Sequence, residues 1–321
     1  MSAYVLGFDV GGTRMKSGAV DPRGRLLAKD VSPSGADAGP RALLGRLVAA
    51  VRKAARERGA LPRAVGLGFP GAVRPDLGVA LLPGRLQGLE GFPLVPRLRK
   101  ALGIPVIADN DARVAMVAEA AYGKARGKRW ALTVTLGTGV GTCPLLDGRI
   151  LRDPHLQFGT QASHIVMQAR DGRLCFTGAR GTAEMLCSAT ALANQMRDAL
   201  ARGIESSLSA VWSKDPHAVD AQAVFDAAAR GDVLAREEVG VWTENLGWFL
   251  VSAIHMYAPQ VVILSGGAAH AAPLFLKPLR AQVGRHLFRW PRRSRVPIVV
   301  STLGDHAGVL GAAALAWEAL A

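Results

Sequence analysis

The sequence is poor in cysteine, poor in acids and free of long apolar runs. Its three cysteines, Cys143, Cys175 and Cys187, cannot build a disulfide framework, and an odd count fits a reducing compartment. No uninterrupted apolar stretch reaches the ~20 residues that a membrane helix needs. The opening MSAYVLGFDVGG has no basic segment ahead of an apolar one, so no export signal is read. These absences predict a cytoplasmic protein with no membrane partner. Acids number 25 against 39 Lys and Arg, which leaves a formal charge of +14. Such an excess favours anionic partners. Much of the Arg, however, is scattered over helical patterns such as RKAARERGALPR. The densest run, RHLFRWPRRSR from Arg285 to Arg295, lies between an apolar helix and the strand VPIVVS, where it reads as a surface connection. No nucleic-acid partner is expected.

What is present points to an α/β protein. The chain has 321 residues, half of them hydrophobic and 37 of them glycine, long enough for two lobes. Short apolar runs predict strands in YVLGFDV, MKSGAV, RLLAKDV, AVGLGFPG and IPVIAD. Helical spacing appears over Pro40–Arg58, Leu94–Leu102 and Asp111–Tyr122. A second cycle starts at Trp130 with WALTVTLGTGVGTCPLLDGRI. Helices then cover Ala183–Leu200, Val219–Ala229 and Val233–Tyr257, followed by the strand VVILSGG and a terminal helix from Ala307. LGFDVGGTRMKSGAV and LTVTLGTGVGTCPLL share one plan, strand, glycine turn, strand, as two similar lobes would. The division expected is a small lobe over 1–111, with the C-terminal helix 307–321 packing back on it, and a large lobe over 112–306.

Each glycine turn suits a phosphate, because backbone N–H groups converge on one only where no Cβ intervenes. Gly11, Gly12 and Thr13 form one candidate cradle, with Lys16 beyond it. Gly137, Thr138, Gly139, Gly141 and Thr142 form the other. Asp9 ends the first strand, where a carboxylate can hold Mg2+ directly or through water. Between the cradles, IPVIADNDARVAMVAE puts Asp111 where a strand ends and a helix begins. Capping that helix is its plainest role, but Asn110 or Asp109 can cap equally well. Asp111 is therefore the candidate base that accepts a hydroxyl proton during phosphoryl transfer. Late in the chain, Gly266 and Gly267 leave a flat slot for a purine.

The ordered set GFDVGGTRMK, NDA, LGTGVGT and ILSGGAA resembles the sugar kinases of the ROK (repressor/open-reading-frame/kinase) family, within the actin-like ATPase superfamily. GLGFPGAV and LGDHAGVLGAAALA resemble it too, so the likeness spans essentially the whole chain. It implies a two-lobed, ribonuclease H-like α/β fold with a central cleft, ATP as co-substrate with Mg2+, and a sugar as acceptor. It also implies a homodimer, although no interface stripe is legible. Family members usually carry a Gly-Glu-x-Gly-His segment and then a zinc loop, Cys-x-Cys-Gly-x-x-Gly-Cys-x-Glu. Here TQASH keeps His164 and has Gln161 for the glutamate. CFTGARGTAE keeps Cys175, Gly178, Gly181 and Glu184, but Thr177 and Thr182 stand where two cysteines would. One thiol and one imidazole do not close a tetrahedral site, so no structural zinc is expected.

By the same resemblance, His164, Glu184, Gln161 and Asn110 contact the sugar along with Asp111. The family's Asn-Leu-x-x-Trp segment is RLQGL here, with Arg85 for Asn and Leu89 for Trp. Arg85 offers a fork suited to an anionic group. The acceptor is accordingly left open among neutral hexoses, modified or anionic sugars and cyclitols. Two alternatives stand beside the ATP-dependent kinase. One is a catalytically idle sugar sensor; but only Met1, Ser2 and Ala3 precede the first strand, which leaves no room for the DNA-binding segment of the family's repressors. The other is a kinase that takes phosphate from inorganic polyphosphate, which the basic surface would suit.

Overall fold

The computed structural model describes residues 3–74, 79–82, 86, 88–152, 161–291 and 294–321. It divides into two compact units, one made of Met1–Lys128, Ile150–Thr160 and Ser301–Ala321, the other of Arg129–Arg149 and Gln161–Val300. The first unit is built on β1 (Val5–Val10), β2 (Arg14–Val20), β3 (Leu26–Pro33), β4 (Val65–Phe69), the small hairpin β5 (Ala72–Arg74) and β6 (Val79–Leu82), and β7 (Val106–Asn110). Its main sheet runs β3-β2-β1-β4-β7. The first three strands pair antiparallel, whereas β4 and β7 add parallel to β1.

Strand alternation sorts the two faces of this sheet. Leu6, Phe8 and Val10, with Val65, Leu67 and Phe69, face a core shared with α1 (Pro40–Arg58) and α2 (Leu94–Leu102). The opposite face takes the C-terminal helix, Ala307–Glu318, against which α3 (Asp111–Tyr122) packs through Val114 and Val117. That second face is lined by glycine for a steric reason. A Cβ on Gly7 would lie 2.1 Å from the Val309 carbonyl oxygen, and one on Gly66 1.7 Å from that of Ala312. The helix backbone thus rests on the bare strands. Because α3 shares a core with the C-terminal helix, the division differs from one drawn at Asp111: α3 belongs to the first unit, and so do Ile150–Thr160.

The second unit repeats the arrangement with β8 (Ala131–Leu136), β9 (Val140–Leu146) and the short β10 (Arg149–Ile150), continued by the two late strands β11 (Val262–Ser265) and β12 (Ile298–Val300). Its order, β10-β9-β8-β11-β12, has the same antiparallel hairpin followed by parallel additions. Its helices are α4 (Ala183–Cys187), α5 (Ala189–Ala201), α6 (Ser209–Lys214), α7 (Ala221–Arg230), α8 (Val233–Tyr257) and α9 (Ala272–His286). The single helix expected over Ala183–Leu200 is broken at Ser188. That serine caps α5 by accepting from the Ala191 amide, while the buried Trp242 indole of α8 donates to the carbonyls of Cys187 and Ser188. A local serine cap and a partner 54 residues away together hold the break. Among the described residues no helix is long and apolar enough to cross a membrane.

Candidate active site

In the first unit, Asp9 and Asp111 come together. Asp9 lies on the glycine-lined face of β1, across from Lys16 of β2. A Cβ on Gly308 would sit 2.6 Å from its carboxyl carbon, so a side chain there is excluded by the carboxylate. Desolvation raises the Asp9 pKa, and the Lys16 charge partly offsets that. The Lys16 ammonium itself donates to the Asp305 carbonyl oxygen at 3.2 Å. The turn between β1 and β2 is held from outside. Ser34, fully buried, donates its hydroxyl to the Gly12 carbonyl at 2.7 Å and its amide to the Thr13 carbonyl. Gly11 closes the turn by donating to the Arg14 carbonyl at 2.9 Å. Nothing in the Ser34 sequence context had signalled this role.

Asp111 opens α3, but Asn110 caps it. The Asn110 amide oxygen accepts from the backbone of Ala112 and Arg113, while its nitrogen donates to the Gly71 carbonyl at 2.7 Å and to Asp111 Oδ1 at 2.9 Å. All four hydrogen-bonding positions of the side chain are thereby engaged with protein. Asn110 holds the Asp111 carboxylate in place, a different task from the sugar contact expected of it. Asp111 is exposed to solvent, although protein atoms surround its carboxyl closely enough to perturb it. Desolvation pushes its pKa up to about 6, with the Asp9 charge adding to the rise and the Ala112 amide and Asn110 opposing it. Behind it, buried Asp109 takes the Arg152 guanidinium on Oδ2 at 2.9 and 3.0 Å and faces Arg113 at 3.2 Å, pinning the end of β7. Arg152, 43 residues away, carried no sequence signal.

In the second unit, Gly137, Thr138 and Gly139 form the β8–β9 turn, with the Gly137 amide bonded to the Gly139 carbonyl at 3.0 Å. Gly141 and Thr142 lie beyond that turn, within β9. Thr142 is buried and its hydroxyl accepts from the Ala162 amide, so it braces the turn that carries His164. Glu184 of α4 reaches the hairpin, where Oε2 accepts from the Val140 amide at 3.1 Å and would meet any Cβ on Gly139 at 2.4 Å. A backbone bond from Ala183 to the Ile165 carbonyl brings Glu184 and His164 to neighbouring segments. Gln161 starts the short turn Ala162–His164 and accepts from the His164 amide. Arg85 lies outside the described residues. Leu89, at the position of the expected Trp, is buried in the first unit's core.

The loop after His164 is closed by its own backbone. Cys175 donates to the Ala179 carbonyl at 2.7 Å, Gly178 to that of Cys175, and Gly181 to that of Arg173. A cavity of about 440 Å3 opens elsewhere in this unit. Its wall includes Gly137 and Thr138 from the hairpin, Gly267 and Ala268 from the turn after β11, and Arg197 and Gln222 from α5 and α7. Two glycine elements separated by 130 residues in sequence thus meet at one hollow. The size falls in the usual range for small-molecule sites, about 300–1,000 Å3. The Arg197 Nε is buried there without a hydrogen-bond partner. Arg197, Asp220 and Gln222 escape sequence reading, since a polar residue on or beside a helix carries no signal that it lines a cavity.

The ROK family model matches residues 5–319. A glucokinase of Thermotoga maritima is 29% identical over 319 residues, covering 98% of this chain and 97% of the relative. An N-acetylmannosamine kinase of Salmonella typhi is 29% identical over 313 residues, covering 97% of each. The crystal structure of a ROK family glucokinase from Streptomyces griseus in complex with glucose and AMPPNP superposes with a TM-score of 0.82 at 26% identity, over 98% of this chain and 100% of that one. With matching hairpins, matching sheets and a family match from end to end, the chain belongs to the ROK family.

Proposed function

We propose that this sugar kinase of the ROK family transfers the γ-phosphoryl group of ATP to a sugar hydroxyl, with Asp111 as general base. The observation that carries the nucleotide assignment is the cavity shared by Gly137, Thr138 and Gly267, which suits an adenosine leading toward the β8–β9 hairpin. The similar Streptomyces griseus enzyme, with glucose and AMPPNP bound, supports both ligand classes. The amides of Gly11, Gly137 and Val140 are already bonded within the protein, so the phosphate role goes to Gly12, Thr13, Thr138 and Gly139. Asp9 and Asp111 are hard oxygen donors close enough for one to raise the other's pKa, a pairing that fits a divalent cation arriving with ATP. Asp9 would hold Mg2+, directly or through water, and the ion would neutralise phosphate charge. Asp111, steadied by Asn110, accepts the proton as the hydroxyl oxygen attacks phosphorus and the bond to the β-phosphate oxygen breaks. His164, Glu184 and Gln161 supply polar partners for the sugar.

The test is a kinase assay across neutral, acidic and amino sugars and cyclitols, with ATP and polyphosphate compared as donors at two salt concentrations. ATP-dependent transfer to one or more members supports the reading. Silence across the panel, with sugar binding still measurable, would replace it with a binding protein. Transfer from polyphosphate alone, weakened by salt, would reassign the donor.

The pH dependence follows from Asp111. A base works only when ionised, and an ordinary aspartate near 3.8 stays ionised throughout the usable range. Raised to about 6, Asp111 should make kcat/KM fall tenfold per pH unit below that value and level off above it. A profile flat down to pH ~4.5 would remove Asp111 from this role.

The glycine pair after β11 gives a further expectation. Gly266 has φ +86 and a Cβ there would meet the Leu136 carbonyl at 2.5 Å, so Gly266→Ala should destabilise the fold. A Cβ on Gly267 meets nothing within 4 Å, so Gly267→Val should fold normally and intrude on the nucleotide. Intrusion of this kind costs about 1–3 kcal/mol, a rise of roughly 5- to 150-fold in KM for ATP. An unchanged KM would detach this turn from the nucleotide.

A further inference from the structure

His164 has a partner that the sequence alone did not predict. Its Nδ1 faces the Cys175 sulfur at 3.8 Å, and the Phe176 ring meets the imidazole edge-on at 5.3 Å between centroids. Cys175 is only 3% exposed, and the tight 175–179 turn fixes its backbone, so the thiol is presented to the ring by the fold. The remaining positions of the resembled zinc loop do not supply metal donors. Thr177 is exposed, with its hydroxyl accepting weakly from Ala179 at 3.4 Å. Thr182 is fully buried, and its hydroxyl has no hydrogen-bond partner. Among the described residues no group of three His, Cys, Asp or Glu is placed to hold a metal. A single thiol with a single imidazole falls short of a closed zinc site.

We infer that the Cys175 thiol does here what a metal ion would otherwise do: it orients His164 toward the acceptor sugar, in a protein that works without zinc. The S–H donates to the Nδ1 lone pair, which leaves the proton on Nε2 and points a hydrogen-bond donor away from the loop. A metal on Nδ1 would select the same tautomer. A thiol is a weak donor, so the hold depends on help, which the Phe176 edge and the backbone-bonded loop provide. Cys175 is thus a positioning residue acting through His164. The inference rests on the reading that His164 contacts the sugar.

The intact enzyme tests it on three measurements. Elemental analysis of the purified protein should find zinc far below one atom per chain, and a zinc-selective chelator in excess Mg2+ should leave activity unchanged. Stoichiometric zinc, lost together with activity, would overturn the inference. Cys175→Ala should raise KM for the sugar about 3- to 10-fold, with kcat, KM for ATP and the unfolding midpoint nearly constant, and Cys175→Ser should recover part of the loss. An unchanged sugar KM in Cys175→Ala would also overturn it. Imidazole 15N shifts should report the Nε2–H tautomer for His164 in the parent and a mixed population in Cys175→Ala, a readout independent of turnover. His164→Ala separates the two claims: if it leaves sugar KM untouched, the sugar contact fails, whatever the zinc content.

Discussion

Asp111→Asn should lower kcat by about 10²- to 10⁴-fold while sugar and nucleotide binding stay measurable, the usual loss on removing a base such as the one proposed for this carboxylate. The substitution separates chemistry from folding because the helix cap lies elsewhere. Asn110 accepts from the first amides of α3, and Asp111 adds a bond to Ala112 only. An amide at position 111 therefore leaves the helix start intact. Stability points the same way. A carboxyl whose folded pKa is raised has its ionised form disfavoured by folding; its stabilising share is present below pH 3.8 and lost as pH rises through about 6. A neutral side chain removes that burden at neutral pH, so the unfolding midpoint should hold or rise slightly. Steady-state kinetics beside a thermal melt decides the matter. Near-normal turnover in Asp111→Asn would mean that the proton leaves by another route.

Gly66→Ala should cost more than ~4 kcal/mol or prevent soluble expression, the tail of the distribution for single substitutions. The added carbon would lie 1.7 Å from the Ala312 oxygen and 2.5 Å from its carbonyl carbon, both backbone atoms. No rotamer change relieves such a contact; the C-terminal helix has to move off β4. That helix also carries Gly308 beside Asp9 and Gly311 under the Val114 carbonyl, so its displacement would disturb the site as well. Gly45→Ala is the control. It lies within α1 with nothing within 4 Å of its Cβ, and the change should stabilise by about 0.5–1 kcal/mol through helix propensity. Urea unfolding of the pair provides the comparison. A Gly66→Ala protein as stable as the parent would show that the helix does not rest on the strand as described.

The local geometry of the candidate site was legible because its pattern lies in adjacent residues. A strand, a glycine turn and a returning strand occupy adjacent residues, so both hairpins could be read from Asp9–Lys16 and Thr135–Thr142. Asp111 was legible for the same reason, at a strand-to-helix junction. One residue type can also serve two purposes. Asn110 and Thr142 carry groups that suit a ligand, yet their bonds go to Gly71, Asp111 and Ala162. Arg152 on Asp109 and Ser34 under the first hairpin are contacts between distant segments, for which periodicity has no signature.

By itself, then, the sequence determined the type and order of most elements, the two glycine hairpins and the aspartate between strand and helix. Hydrophobic period and glycine placement are properties of neighbouring residues, and they survive without knowledge of the fold. Only the tertiary structure decided that Asn110 caps α3 and steadies Asp111, that Gly137 and Gly267 share a hollow with Arg197, and that a thiol faces His164. Those facts depend on which segments a common core brings within a few ångströms, and burial, more than any pairwise spacing, makes that choice.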